Sequence, residues 1–433
     1  MSEALRNTQP EPRTAWFTHD RFAMMIHFGL YSIPAGVWKG VPAGRSPLSE
    51  WIQMQGNWPH GIPAAEYKTL LAQFNPTAFD ADEWIREMVN AGMRYMVITS
   101  KHHDGFALWP SRADAYNVMD ATPFKRDILG ELKAACDKHG AKLGFYYSHW
   151  LDWDHPYGGR PHAEEFHSEP RWEQPTQEQF ETYWQEKCLA QVTELIDNYD
   201  PCLFWFDTWA RNSSEWITEQ RMDELIGLIR TKSPGCLINS RLGTWGHSRG
   251  DAAVDYVSMG DNQFPETGST QPWETSGTMN HSFAYHQLDF DWLSTQDLLK
   301  RLIGNASGGG NYHLNVGPMG DGSFERPVIR RLRELGAWMA VNGESIQGTK
   351  ASPLPPQTWG KVTASADGQR LYLHVFEWPE DGLLTVTGLD TAPLSARVLE
   401  TGQPVTAGIQ DGQVTVTLPH EAKALGIPVI VLE

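Results

Sequence analysis

Short apolar runs and amphipathic stretches alternate from about residue 24 to residue 342. The runs 24–28, 95–99, 142–148, 202–207, 236–239, 255–259, 273–279 and 311–316 read as strands covered on both faces, because they lack the in-out alternation of a strand with one wet face. Helical periods lie between many of them. Residues 81–91 follow Asp80, a good N-cap, and set Trp84, Met88 and Ala91 on one face. Residues 126–139 gather Leu129, Leu132 and Cys136, with Gly140 placed to end the helix. Stretches 178–199, 222–232, 295–303 and 327–341 continue the order. Such an alternation predicts an α/β fold with a parallel sheet, and eight strands predict a (β/α)8-like TIM barrel.

After Asn342 the pattern changes. ASPLPP (351–356) is proline-rich and cannot continue a helix. Beyond it come alternating runs at 370–376, 383–387, 397–400, 413–418 and 427–432, separated by turn pairs such as Asp367-Gly368 and Asp411-Gly412. These predict a C-terminal antiparallel β-sandwich. The expected division is a barrel over residues 1–349 and a sandwich over 350–433. The stretch 151–173, aromatic and rich in His and Glu, predicts an ordered loop over one barrel face.

A chain of 433 residues suits two domains, and 40% apolar residues can build both cores. The formal net charge of -18 repels phosphate backbones and anionic lipid, so neither nucleic acid nor membrane is an expected partner. Nineteen tryptophans offer flat platforms for ligands. Cys136, Cys188, Cys202 and Cys236 are widely spaced beside apolar runs and read as small buried hydrophobes. The opening MSEALRNTQPEPRTAW has no apolar segment of the secretory kind, which gives a cytoplasmic expectation.

In a barrel, chemistry gathers at the C-terminal strand ends. Here those ends carry His27, then Lys101-His102-His103-Asp104, then Tyr146-Tyr147-Ser148, then Trp205-Phe206-Asp207, then Arg241, then Asp261 with Glu266 close behind. Carboxylates among neutral donors and aromatics describe a sugar-cleaving site, in which one ionised and one protonated carboxylate flank the scissile bond. A hydrolytic metal site built from His27, His102, His103, His149 and Asp207 is the weaker reading. Adjacent His102 and His103 can share one ion only if the chain has already left the strand, and no HxH or HExxH pair occurs. No metal or other cofactor is expected.

The motifs MIHFGLYSIPAG (25–36), SEW (49–51), SKHHDGFALWPS (100–111), KRDILGEL (125–132), GFYYS (144–148), LFWFD (203–207), NSR (239–241), WETSGTMNHSFAY (273–285) and NYHLNVGPMGDG (311–322) follow in order through nearly the whole barrel. Together they resemble the retaining α-L-fucosidases of glycoside hydrolase family 29. The resemblance implies that Asp207 is the nucleophile and that a fucosylated oligosaccharide is the substrate. It further implies that His27, His102 and His103 hold the fucose hydroxyls, and that Glu50, Trp51, Tyr147, Trp205 and Arg241 lie beside the sugar. For the general acid/base it offers Glu266, in GDNQFPE (260–266), and Glu274, in the WET motif, with Glu266 preferred. The GDNQFPE loop also resembles the branch that favours branched, linkage-restricted fucosides.

This chain departs from the common pattern in three places. Phe28 replaces Trp, WFDTW replaces WFDG, and SFAY replaces SWGY. Because Phe28 adjoins His27, it is the expected apolar contact for the fucose methyl group. A sugar-binding protein with an inactive barrel, a metal-dependent hydrolase, and a glycosidase acting on galactose remain as competing readings.

Overall fold

The computed structural model describes residues 12–43, 48–54, 61–161, 173–208, 212–243, 254–266, 268–410 and 412–433. Every strand expected in the barrel is present: β1 (Phe22–Ile26), β2 (Tyr95–Lys101), β3 (Lys142–Tyr147), β4 (Leu203–Phe206), β5 (Leu237–Ile238), β6 (Val257–Ser258), β7 (Trp273–Thr278) and β8 (Asn311–Val316). They form one eight-stranded sheet in the order β5-β4-β3-β2-β1-β8-β7-β6, with parallel neighbours throughout. A parallel bridge between Asn239 and Tyr256 joins the two ends of that sheet. Asp255 N donates to Ile238 O at 2.8 Å and Ser240 N to Tyr256 O at 2.9 Å, which closes the curl.

The surrounding helices start and stop where local chemistry dictates. α1 (Ala81–Asn90) is capped by Asp80, whose carboxylate accepts the Glu83 amide at 3.0 Å. α2 (Ile128–His139) is capped by Asp127 and ends on Gly140, left-handed at φ 66°. α3 opens with a Thr176/Gln179 capping box at Gln177–Tyr183, passes through a π-turn at Trp184–Leu189 and finishes as Ala190–Tyr199. α4 (Glu219–Lys232), α5 (Thr295–Ser307) and α6 (Arg326–Asn342) complete the main layer.

Strand parity sorts side chains into two compartments. Ala23, Met25, Tyr95, Val97, Tyr146, Leu203, Trp205 and Leu237 form a small cluster inside the barrel. Their neighbours Phe22, Met24, Ile26, Met96, Ile98, Phe145, Tyr147, Phe204 and Phe206 belong to the larger core that the helices cover. This period of two carries straight on into the functional positions at the strand ends.

The C-terminal region is built of two antiparallel sheets. β9 (Gly360–Ala364), β10 (Leu371–Val375), β15 (Val429–Leu432) and β12 (Ala396–Val398) make one, and β11 (Leu383–Val386), β14 (Gln413–Thr417) and β13 (Thr406–Gln410) the other. β9 and β13 were not foreseen from the sequence. β9 opens on Gly360 and β13 carries Gly408 at its centre, and glycine weakens the strand signal in both. The sandwich has its own core and also rests on the barrel. Tyr372, Val429 and Val431 join the barrel's cluster, and the Trp338 indole of α6 donates to Ile427 O at 3.0 Å.

The loop after β3 is ordered over its described part. Arg160 donates to the carbonyls of Gly158 and His155, both at 2.8 Å, and to that of Asp152. Trp153 N donates to His103 O at 2.7 Å and so ties this loop to the SKHHDG motif. Gly105 of that motif is left-handed at φ 80°, and a Cβ there would sit 2.3 Å from Asp152 Oδ1. The remainder of the expected loop, 162–172, lies outside the described residues.

Candidate active site

Asp207 follows β4 on the inward parity of Leu203 and Trp205. Its backbone is fixed from two sides. Asn239 exchanges two hydrogen bonds with Phe206, one residue earlier, and the Trp150 indole donates to Asp207 O at 3.2 Å. The carboxylate accepts from Tyr146 Oη at 2.8 Å and from Arg241 Nη1 at 3.3 Å, with His103 Nε2 3.5 Å from Oδ2. Burial alone would push the carboxyl up from its ordinary value. The His103 hydrogen bond, the Arg241 charge and Tyr146 outweigh burial and hold the carboxyl well below the usual carboxylate range. Asp207 is therefore ionised, and its side chain stays 11% exposed towards the mouth.

Around it stands a ring of imidazoles. His27 extends β1 on the inward parity. Asn315 donates its amide hydrogen to Phe283 O, so its Oδ1 faces His27 Nδ1 at 2.7 Å and Nδ1 carries the ring hydrogen. Burial lowers His27 to about 4, so Nε2 of the neutral ring is an acceptor. The chain leaves β2 at Lys101, which is why adjacent His102 and His103 lie on the same side, with ring centres 4.2 Å apart. His102 stacks on Tyr146 at 5.2 Å and 11°. His103 Nδ1 lies 2.6 Å from Ser148 Oγ. Burial lowers both rings, so these too are neutral groups suited to sugar hydroxyls.

The walls come from two loops. Trp51 sets its ring 4.9 Å from His103 and 5.0 Å from Trp153. Beside it Glu50 is buried and accepts the Ala284 amide at 3.1 Å. Burial, with the Asp261 and Asp207 charges adding to it, pushes Glu50 up to about 7 against those backbone donors. Arg241 grips two carboxylates, Asp207 through Nη1 and Asp261 through Nη2, and also donates to Met259 O at 2.9 Å. Its guanidinium lies 4.7 Å from the Trp205 ring centre.

This is one ionised carboxylate among neutral donors and acceptors, with a second carboxylate at the far end of the same guanidinium. The Alpha-L-fucosidase family model matches residues 2–344. The chain belongs to the α-L-fucosidase family. The α-L-fucosidase of Dictyostelium discoideum is 28% identical over 392 residues, covering 88% of this chain and 81% of that protein. The solved structure of α-L-fucosidase isoenzyme 1 from Paenibacillus thiaminolyticus superposes with a TM-score of 0.82 at 31% identity, covering 97% of this chain and 98% of that one. A Bacteroides thetaiotaomicron family 29 enzyme, solved as a covalent intermediate trapped with 2-fluoro-fucosyl fluoride, superposes at 0.85 with 29% identity, covering 98% and 96%. The family consists of glycoside hydrolases.

Within this fucosidase fold, several expected residues sit elsewhere. Tyr147 does not face the sugar site. It has outward parity and donates to Gln191 Oε1 at 2.9 Å in the helix layer, while its neighbour Tyr146 faces in. Phe28 is also outward. It packs on Phe74 and Trp84, each at 5.6 Å, so it cannot touch the fucose methyl group. The apolar ring beside His27 is Phe283, at 5.1 Å. Glu274 lies inside the barrel, fully buried, and accepts the Trp205 indole hydrogen at 2.9 Å. Glu266 is exposed, whereas Asp261 of the same loop pairs with Arg241. Tyr146, named from the sequence only as part of a strand end, and Asn315 and Phe283, not named at all, were left out of the expected sugar contacts. The first two were within reach of the period-two rule applied from Asp207 and His27.

Proposed function

We propose that this chain is a retaining exo-α-L-fucosidase that releases terminal α-L-fucose from fucosylated oligosaccharides through a covalent fucosyl-enzyme intermediate on Asp207. The observation that carries this reading is the state of Asp207: ionised, gripped by Tyr146 and Arg241, and open towards the mouth. The trapped intermediate of the Bacteroides thetaiotaomicron relative supports a covalent route for the family. Asp207 attacks the anomeric carbon, a carboxylic acid protonates the leaving oxygen, and the same group then activates the water that releases the sugar. His27, His102 and His103 take the hydroxyls, and Glu50 and Trp51 close the side of the ring. Phe283 faces the methyl group, where a hydroxymethyl group would crowd it.

The proton donor is Asp261 or Glu266, and the geometry favours Asp261. Asp261 shares the Arg241 guanidinium with Asp207, which sets a second carboxyl beside the nucleophile, the pairing that retaining enzymes use. Burial and the nearby Asp207 charge push the Asp261 carboxyl up against the pull of Arg241. Its side chain is 51% exposed, so water moderates that shift.

The test is hydrolysis of an aryl α-L-fucoside and a fucosylated trisaccharide by the wild type and by Asp207→Gly, Asp261→Asn and Glu266→Gln, each with and without azide. Recovery of Asp207→Gly as a fucosyl azide of inverted configuration supports the nucleophile. Of the other two variants, the donor is the one that keeps activity towards a good aryl leaving group and loses it towards the trisaccharide. Absence of turnover by the wild type overturns the reading.

A further inference from the structure

A chain of polar groups runs up the barrel interior and ends beneath Asp207. At its base Asn311 Nδ2 donates to Tyr95 Oη at 2.8 Å. Tyr95, whose oxygen already accepts, places its own hydrogen towards His313 Nε2, also at 2.8 Å. That leaves the other ring nitrogen, Nδ1, to carry the hydrogen of neutral His313, and it lies 3.5 Å from Glu274 Oε2. Ser276 Oγ lies 3.3 Å from the same oxygen, while Glu274 Oε1 accepts from the Trp205 indole at 2.9 Å. All these side chains are buried, Glu274 and His313 fully.

No lysine or arginine among the described residues pairs directly with Glu274. The Glu274 charge helps to keep Arg241 protonated, and that guanidinium stands on the Trp205 ring rather than on the carboxylate. The indole is thus the connection between them. An N–H bonded to an anion makes the ring richer in electrons and strengthens its hold on a cation at its face. The same ring also stacks on Tyr146 at 5.3 Å and 19°. Arg241 and Tyr146 are two of the groups that grip the Asp207 carboxylate.

We propose that Glu274 is a positioning residue for the nucleophile: by holding the Trp205 indole it sets the ring against which Tyr146 and Arg241 are aligned on Asp207. The role rests on the reading of Asp207 as the nucleophile. Glu274 itself touches neither substrate nor the reacting atoms.

The test is a double-mutant cycle between Glu274→Gln and Trp205→Phe, read as kcat and KM for an aryl α-L-fucoside, with melting temperatures as the folding control. Misplacement of a reacting group by a remote substitution costs up to about 100-fold. The expected result for Glu274→Gln is a loss of that order in kcat, with KM changing little. In the Trp205→Phe background the same substitution should cost about 3-fold or less, because the link it acts through is already gone. Equal losses in both backgrounds overturn the proposal, as does full activity of Glu274→Gln. A second readout needs no turnover. In protein carrying 15N-tryptophan, the indole resonance that disappears in Trp205→Phe should shift in Glu274→Gln. An unmoved resonance overturns the Glu274–Trp205 link, whereas an inactive wild type with the expected shift overturns only the fucosidase reading.

Discussion

Tyr146 donates its hydroxyl hydrogen to Asp207 Oδ2 across 2.8 Å, inside the barrel and away from bulk water. A hydrogen bond to a buried charge contributes about 1.5–3 kcal/mol, so Tyr146→Phe should lower kcat/KM by roughly 10- to 150-fold. The sign of the pH effect follows. Tyr146 is one of the groups that hold the Asp207 carboxyl below its ordinary value of 3.8, and activity requires the carboxylate. Removing the donor raises the carboxyl, so the acidic limb of the kcat/KM profile should move to higher pH. Tyr147→Phe removes contacts with Gln191 and Cys188 in the helix layer and should leave that limb in place. A profile displaced equally by both variants would sink the assignment of Tyr146 to the site.

Glu50 gives a stability effect of opposite slope. Its carboxyl rises from an ordinary 4.5 to about 7 on folding, so the folded state binds the proton more tightly than the unfolded one. The resulting stabilisation is complete below about 4.5 and is lost as pH rises through about 7. Asp104, buried against Tyr67 and also raised to about 7, acts in the same direction. Glu50→Gln removes one contribution of this kind. Its melting temperature should therefore gain on the wild type as pH is raised from about 5 to about 8, the window in which the wild type must give up that proton. Parallel melting curves across that window would show that Glu50 is not the proton-holding group.

The barrel was legible because most of its buried strands are short apolar runs, and helix ends at Asp80, Asp127 and Gly140 carry their own chemistry. The motifs marked the site's neighbourhood, but adjacency in a motif does not tell which neighbour faces inward. Tyr146 and Tyr147, or His27 and Phe28, are separated only by parity along their strands. Applied from Asp207 the rule selects Trp205 inside β4. Applied to the cross-strand pair Tyr146–Trp205 it selects Tyr146. Phe283 and the Asp261–Arg241 pair follow from loop paths after β7 and β6, and loop paths have no period to read. β7 itself, WETSGT, is fully buried yet mostly polar, because its inward side carries Glu274, Ser276 and Thr278.

The two phenylalanines beside His27 should respond to truncation in different currencies of measurement. Phe283→Ala should reduce the preference for fucosides over galactosides, since a pocket contact with one methyl group discriminates by about 1–3 kcal/mol, roughly 10- to 200-fold. Its effect on melting should be smaller than that of Phe28→Ala, because the buried Phe283 ring belongs to none of the apolar core clusters. Phe28→Ala should instead destabilise the fold by about 3–5 kcal/mol, the usual cost of emptying an aromatic site in a core, with the fucose preference intact. Kinetics on the paired aryl fucoside and galactoside, set beside thermal melts, separate these outcomes. An unchanged preference in Phe283→Ala would remove it from the methyl site.

Asp152 ties the imidazole motif to the aromatic wall through buried charge. Its carboxylate lies 3.3 Å from Lys101 Nζ and 2.8 Å from Lys187 Nζ, with all three side chains almost wholly buried. Burial would raise the carboxyl, but the Lys187 and Lys101 charges dominate and hold it far below its ordinary range. The other carboxylate oxygen accepts the amides of Asp154 and His155, at 3.2 and 2.8 Å, shaping the turn that brings Trp153 against Trp51 and His103. Asp152→Asn leaves two buried ammonium groups facing a neutral amide, and Lys187 retains only Asp114. Breaking a buried pair in this way costs about 3–5 kcal/mol, so a clear fall in melting temperature is expected. Because the depressed carboxyl stabilises the fold only while ionised, the gap to the wild type should be widest near neutral pH. It should narrow as pH falls below the ordinary value of 3.8, where the unfolded chain binds a proton that the folded carboxyl resists. Replacing Trp153 by Ala tests the other end of the link, with an expected rise in KM for the trisaccharide larger than for the aryl fucoside. If Asp152→Asn melts like the wild type, the ion cluster does not hold this wall in place.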